Sequence, residues 1–121
     1  MGMEDYFITR DLDDVMLVKF QQPQILDAVN IERLGTGLKQ LIEGASQRRF
    51  LLDFSSVTYL SSSALGILIS VQKRVVQRQA ELKMAGIRDG IMEVFRITRL
   101  DTVFDIYKDA PSAIEAFRKN L

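Results

Sequence analysis

Three consecutive serines, Ser61, Ser62 and Ser63, are the residues of this 121-residue chain whose type and position could do chemistry. They follow an apolar run and a polar turn, and a long helical pattern begins just after them. A serine hydroxyl at such a point can accept a hydrogen bond from an unpaired N–H of the first helical turn. It is also a good phosphorylation site, because the helix dipole favours an added negative charge by about 0.3 to 1 kcal/mol. The cluster therefore predicts a helix cap, and a phosphoacceptor is the sharper alternative.

The composition removes most catalytic interpretations of these serines. The chain contains no histidine and no cysteine, so it lacks the usual general base, the Ser-His-Asp triad and thiolate metal ligands. No glycine-rich phosphate-binding loop follows a strand. Sixteen basic and sixteen acidic residues cancel, which leaves no overall field to hold nucleic acid. We therefore expect no enzyme, no cofactor, no metal and no direct nucleic-acid partner, with a small hydrolase using Ser62 as a remote alternative.

Length and hydropathy indicate a single domain over residues 1–121. Hydrophobic residues make up 47% and charged residues 26% of the chain, which is typical of a soluble globular protein. No apolar run approaches the roughly 20 residues that a membrane span requires. Glu4 and Asp5 stand where a signal peptide would be basic, so we expect a cytoplasmic protein.

The periodicity around the serines predicts the elements that position them. Residues 49–53 are apolar almost throughout and predict a buried central strand, which Asp53 ends by accepting backbone N–H bonds from the following turn. After the serines, one face of a helix carries a stripe of apolar residues, namely Ala64, Ile67, Leu68, Val71 and Val75. We expect Leu68 to be part of the core.

The rest of the chain alternates strands with helices. Residues 6–9 and 15–20 predict a hairpin, and a loop follows at Pro23. Asp27 or Asn30 can cap the next helix, which Gly44 ends, and Gly35 within it favours close approach of another helix. The remaining pattern is a strand at 81–86, a helix at 89–97, an extended segment at 102–107 and a closing helix with Asp109 as its cap, Pro111 in its first turn and an apolar stripe of Ile114, Phe117 and Leu121. The order predicts an α/β fold: a mixed, mostly parallel sheet of about five strands with an N-terminal antiparallel hairpin and about four helices.

Two local basic clusters, at residues 47–49 and at Lys73, Arg74 and Arg78, are the exceptions to the balanced charge. Such clusters are usually solvated helix faces. We interpret them in that way here.

The segment from Asp53 to Gly66, DFSSVTYLSSSALG, resembles the signature of STAS domains, the fold of bacterial anti-sigma factor antagonists. In that signature a strand ends in a hydrophobic pair followed by Asp-Ser-Ser-Gly-Leu. Leu26-Asp27 is similar to the Leu-Asp that precedes the first family helix. The C-terminal half is similar as well, through Val94-Phe95, Leu100-Asp101, residues 103–107 and residues 113–116. The resemblance covers nearly the whole chain and implies a single STAS domain.

The resemblance implies a phosphoacceptor at Ser62, with Ser61 and Ser63 as alternatives. The chain departs from the family pattern twice, because Ser61 replaces the aspartate and Ala64 replaces the glycine. The implied partner is an anti-sigma factor with serine kinase activity, which would supply the ATP, and a phosphatase would reverse the modification. The implied contact surface comprises the loop of Asp27, the serine loop and the start of the following helix, that is Asp27, Ser61, Ser62, Ser63, Ala64 and Leu65.

The implied function is partner switching. The unphosphorylated protein binds the anti-sigma factor and frees a sigma factor, and phosphorylation reverses this exchange. Two alternatives stay open: a scaffold subunit of a signalling complex that does not switch, and a STAS accessory domain of a lipid or anion transport system.

Overall fold

A computed structural model describes residues 6–12, 14–22, 24–25 and 28–119 of the chain. The predicted order of strands and helices is confirmed. The elements are β1 (Phe7–Leu12), β2 (Val15–Phe20), β3 (Gln24–Ile25), α1 (Ala28–Gly44), β4 (Arg49–Asp53), β5 (Tyr59–Leu60), α2 (Ser62–Gln77), β6 (Glu81–Ala85), α3 (Asp89–Ile97), a short 3-10 helix (Leu100–Thr102), β7 (Asp105–Tyr107) and α4 (Ala110–Lys119).

The main sheet has five strands in the order β1-β2-β4-β6-β7. β1 and β2 are antiparallel, whereas β2, β4, β6 and β7 run parallel to one another. The apolar strand β4 is central, and its Phe50, Leu51 and Leu52 are all buried. Because β2, β4 and β6 are parallel, their C-terminal ends lie at the same end of the sheet, and α1, α2 and α3 begin there.

The two faces of the sheet have separate cores. On the first face, α1, α2 and α3 pack over alternate strand residues such as Phe20, Phe50 and Leu52. On the second face, α4 packs through Ala113 and Phe117 over Val15, Leu51 and Ala85. Neighbouring strand residues therefore point to opposite cores, as the period of two requires.

Helices α1 and α2 approach each other closely at Gly35. A Cβ atom at this position would lie 2.8 Å from Cγ2 of Ile67 on α2, a distance that real Cβ atoms do not show. The expected close approach at this glycine is therefore confirmed. Leu68, one residue further along α2, is 3% exposed and belongs to the core as predicted.

A buried lysine on β6 contacts both the neighbouring strand β7 and the helix α4. Lys83 on β6 donates to Asp105 and, at 3.3 Å, to the Tyr107 hydroxyl, and its Nζ lies 4.8 Å from the centroid of the Phe117 ring. Burial lowers the pKa of Lys83, but the hydrogen bonds that Lys83 donates to Asp105 and Tyr107 outweigh that effect and the pKa is raised. The ammonium group therefore stays charged under the helix.

Three sequence-based predictions need correction. The loop at Pro23 contains a strand, since β3 pairs in parallel with β5 and forms a second, two-stranded sheet. The extended segment at 102–107 is a strand only over its last three residues, because a 3-10 turn precedes it. Asn30 lies within α1 and does not cap it, and Asp27, the alternative cap, is outside the described residues, as is Leu121.

The basic cluster on α2 is also more than a solvated face. Arg78 donates through Nη1 to the carbonyl oxygens of Ile42, at 3.0 Å, and Glu43, so it supplies hydrogen bonds to the end of α1. Arg74 pairs with the Glu43 carboxylate at 3.0 Å. Arg48 in turn donates to the carbonyl oxygen of Arg78 at 2.7 Å. These arginines hold the C-terminal ends of α1 and α2 together.

Candidate functional site

The serine cluster lies at the sheet edge where the parallel strands end. The turn that leads to it is fixed by Asp53, whose Oδ1 accepts a hydrogen bond from the Ser55 N–H at 2.9 Å. This is the structural role that the sequence predicts for Asp53. Phe54 then donates its N–H to the Ala85 carbonyl at 2.9 Å, and its ring packs against Phe20 at a centroid distance of 4.9 Å. Phe54 and Val57 are fully buried, so the loop is anchored to the first-face core.

The structure gives the three serines different environments. Ser61 is the N-cap of α2: its φ is −76° and ψ is 164°, and its Oγ accepts from the Ala64 N–H at 3.1 Å. Ser61 is half-buried, whereas Ser62 and Ser63 are exposed. In the described part of the chain, the hydroxyls of Ser62 and Ser63 form no hydrogen bond. One serine therefore supplies the predicted cap, and two present free hydroxyls to solvent.

The other residues expected to contact a partner contribute less surface. Ala64 is 3% exposed and Leu65 is 8% exposed, so their side chains belong mainly to the core. Asp27 lies outside the described residues. Among the described residues of the predicted contact surface, the accessible ones are therefore Ser61, Ser62 and Ser63.

The small β3–β5 sheet brings two helix N-termini together. Ile25 pairs with Leu60 in parallel register, three residues before α1 begins and two residues before α2 begins. Both helices therefore start side by side, and neither has an acidic residue in its first turn. Because helix N-termini carry partial positive charge, an anion at Ser62 is electrostatically favourable.

A second loop, which sequence reasoning missed, follows β6 and contacts the turn at Asp53 and Ser55 that leads to the serines. Gly86 follows β6 with a φ of +73°, and a Cβ atom there would lie 3.2 Å from both Asp53 Oδ1 and the Ser55 nitrogen. Arg88 donates through Nη2 to the Ser55 carbonyl at 3.0 Å. The glycine at the end of the predicted strand 81–86 was the available signal, because such a glycine permits a left-handed turn and close backbone approach.

Tyr59 is a further residue that sequence reasoning did not place at the site. Its side chain is 50% exposed, and it stands three residues before Ser62 on β5. A large exposed ring next to a recognition loop is a favourable contact for a protein partner, because tyrosine is enriched at interfaces.

The fold and site define a small α/β domain with exposed serines at a helix N-terminus. Residues 6–113 match the profile of the STAS domain family, and the chain belongs to that family. It is 29% identical to BtrV of Bordetella bronchiseptica, which carries the name of an anti-sigma factor antagonist, over 94% of this chain and 97% of the relative. It is 26% identical to the anti-sigma-B factor antagonist of Listeria monocytogenes, over 84% of this chain and 76% of the relative.

Among solved structures, the phosphorylated form of the Bacillus cell fate determinant SpoIIAA has the same fold. The TM-score is 0.68 at 12% sequence identity, over 92% of this chain and 98% of SpoIIAA. This similarity confirms the predicted α/β architecture. Within the described residues, no helix has the length and apolar character needed to cross a membrane.

Proposed function

We propose that this protein is an anti-sigma factor antagonist that works by partner switching, with Ser62 as the phosphoacceptor. The observation that carries the proposal is the position of Ser62. It is the first residue of α2, it is exposed, and its hydroxyl is uncommitted within the described structure while its neighbour Ser61 holds the cap. A kinase can therefore reach this hydroxyl without disturbing the helix end.

Phosphorylation here would change binding more than folding. A phosphoserine carries about −1.5 to −2 charges at pH 7 and three strong acceptor oxygens. The converging N-termini of α1 and α2 stabilise that charge within the free protein. In a complex the same charge would be buried against the partner, where an unpaired anion is costly. The unphosphorylated form is then the binding form, and the phosphorylated form is released.

The partner in this proposal is an anti-sigma factor with serine kinase activity. It binds the unphosphorylated protein through the serine loop and Tyr59, and in doing so releases its sigma factor. It also transfers the γ-phosphoryl group of its own ATP to the Ser62 oxygen, with loss of the hydroxyl proton and release of ADP. A phosphatase hydrolyses the phosphoserine and restores the binding form. The named relatives support this partner class, because they carry the name of anti-sigma factor antagonists.

The two departures from the family signature are compatible with this role. Ser61 replaces an aspartate, but it makes the capping bond that an aspartate would make. Ala64 replaces a glycine, but its methyl group contributes to the apolar pocket below α2 together with Phe54 and Leu68. The methyl group is therefore directed into the core and does not obstruct a partner at the surface.

The test is phosphorylation in vitro by candidate anti-sigma factor kinases from the same organism, each with ATP. Tandem mass spectrometry of the parent, Ser62→Ala and Ser63→Ala proteins should show one phosphate on Ser62, lost only in Ser62→Ala. Modification confined to Ser55, Ser56 or Thr58 would refute the assignment. Full binding of the kinase by a protein that is never modified would favour the scaffold alternative.

A further inference from the structure

The two faces of the main sheet are unequally covered. Three helices cover the first face, whereas α4 is the single described helix on the second. α4 packs mainly on β4, β6 and β7 and buries Val15 at the start of β2, which leaves the second face of β1 and of the rest of β2 less covered within the described structure. An antiparallel strand pair such as β1 and β2 can leave one face exposed to solvent. The open half therefore has room for another element.

The open half combines apolar and basic side chains. Antiparallel pairing places Ile8 opposite Lys19 and Arg10 opposite Leu17, and directly opposite residues share one face of a sheet. Leu17 packs against the second-face core, so all four residues belong to that face. Ile8 is 41% exposed, Arg10 is exposed, and Leu17 and Lys19 are half-buried. We call these four residues the hairpin patch.

A cavity adjoins the hairpin patch where the hairpin meets α4. Its volume is about 270 Å³, and its apolar lining consists of Leu12, Val15, Ile114 and Phe117. Arg49, Arg118 and Asp14 also line it. The surface thus continues from the open strands into a groove along the side of α4.

The charges along this surface do not balance. Arg10, Lys19, Arg49 and Arg118 carry four positive charges, and Asp14, at 4.0 Å from Arg49 Nη1, opposes one of them. Asp53 faces Lys19 in the strand register and opposes a second positive charge, while its Oδ1 also accepts a hydrogen bond from the Ser55 N–H. Two positive charges are therefore in excess. Arg10, Lys19 and Arg118 form no hydrogen bond or ion pair with any described residue. The surface is therefore complementary to an apolar stripe flanked by carboxylates.

We propose that the hairpin patch and the adjoining groove dock one acidic amphipathic helix of a partner protein. A helix is about 10 to 12 Å across, which matches two strands spaced about 4.8 Å apart. It would pack beside α4 at an ordinary interhelical distance of about 8 to 10 Å. Its apolar stripe lies over Ile8 and Leu17, and its glutamates or aspartates meet Arg10, Lys19 and Arg118. This surface is distinct from the serine loop, so the proposal does not depend on phosphorylation or on a sigma factor.

The first test is an NMR titration of the ¹⁵N-labelled protein with a synthetic Leu/Glu amphipathic peptide of roughly 20 residues. We expect chemical shift changes in β1, β2 and α4, and none at the serine loop. The variant Arg10→Glu/Lys19→Glu should bind at least about tenfold more weakly, because both charge contacts become repulsive. The matched control, Lys73→Glu/Arg96→Glu on the first-face helices, should bind like the parent. A Leu/Lys peptide of the same pattern should not bind.

Several results would overturn the proposal. Shift changes centred elsewhere would do so, as would equal affinity of the parent and Arg10→Glu/Lys19→Glu. A scrambled Leu/Glu peptide that binds as well as the patterned one would reduce the surface to nonspecific charge attraction. Binding to phosphatidylglycerol vesicles that depends on Arg10 and Lys19, without peptide binding, would assign the surface to a membrane. If the charge-reversed pair does not fold, Arg10→Gln/Lys19→Gln takes its place in the same comparison.

The second test uses the protein in its own cells. A photo-crosslinking amino acid at position 8 should capture a partner whose crosslinked peptide, mapped by mass spectrometry, lies in an acidic amphipathic helix. The same group at Ile97, which is 76% exposed on α3, should not capture that peptide. A position-8 adduct mapped to a basic or strand segment would contradict the proposal.

Discussion

The contact between Gly35 and Ile67 sets how closely α1 and α2 approach. The structure therefore predicts how Gly35→Ala changes the free energy of unfolding. In Gly35→Ala the new methyl group would lie 2.8 Å from Cγ2 and 3.2 Å from Cδ1 of Ile67. Overpacking of this kind typically costs about 1 to 3 kcal/mol. Alanine also stabilises a helix interior by up to about 1 kcal/mol relative to glycine. The net expectation is a loss of about 0 to 3 kcal/mol in the free energy of unfolding.

A second substitution separates these two effects. The three nearest atoms to the added methyl group all belong to Ile67, so Ile67→Ala removes the collision. In that background Gly35→Ala should stabilise the protein by up to about 1 kcal/mol, through helix propensity alone. The sign of the same substitution therefore reverses between the two backgrounds. The expected coupling free energy is about 1 to 3 kcal/mol.

Urea unfolding of the four proteins, followed by circular dichroism, measures this cycle. The domain should tolerate the loss from Ile67→Ala, since domains of this kind are stable by about 5 to 15 kcal/mol. If Gly35→Ala has the same effect in both backgrounds, within about 0.5 kcal/mol, the helices do not meet at these residues. The mutual placement of the two helix N-termini at the serine loop would then be wrong as well.

Four further predictions concern the site and the core. Ser62→Asp should weaken binding to the anti-sigma partner in calorimetry while Ser62→Ala preserves it, and equal affinities would remove the switch. Asp53→Ala should lower stability by about 1 kcal/mol through loss of its turn hydrogen bond, and the partner affinity of the folded protein should be unchanged. Asp53→Asn is the control, because asparagine keeps the hydrogen-bond acceptor. Leu68→Ala should cost about 2 to 5 kcal/mol, and an unchanged melting temperature would show that the α2 stripe faces outward. The pKa of Lys83 is raised in the folded protein. The pairing of Lys83 with Asp105 therefore stabilises the fold fully at pH values below the unfolded pKa of about 10.4. This stabilisation is lost as the pH rises through the folded pKa. Urea unfolding should therefore show stability falling above about pH 10 in the parent and a flatter profile in Lys83→Met.

Sequence periodicity predicted the parts of the fold where many residues repeat one pattern. The helix at Asp89–Ile97 and the central strand at Arg49–Asp53 have the predicted bounds, because long apolar stripes and continuous apolar runs are strong signals. The two-residue strands β3 and β5 gave no such signal. They pair across 35 residues of chain, and the pairing depends on where tertiary packing places both segments. Local propensity does not contain that information.

The sequence predicted a serine cluster at a helix start, but it did not predict which of the three serines would cap the helix. The sequence places three serines at a helix start, and any of them could cap it. Only the backbone geometry shows that Ser61 takes the cap, which leaves Ser62 and Ser63 free. The contacts of Gly86 and Arg88 with the turn at Asp53 and Ser55 join segments more than 30 residues apart. Such contacts follow from the adjacency of β4 and β6 and have no local sequence pattern.

The replacement of the family aspartate by Ser61 bears on which partners the protein accepts. With serine as the cap, the first turn of α2 carries no acidic residue, so the unphosphorylated serine loop from Ser61 to Leu65 has no charged side chain. In a protein with aspartate at that position, the same surface already carries one negative charge. A partner with a cation opposite the cap would bury that cation unpaired against the serine loop of this protein, which weakens binding. A partner without such a cation does not have this cost. Under the proposed function, the substitution therefore preserves the helix end while it changes the electrostatic requirement on the partner, and we expect it to affect the choice among anti-sigma factors.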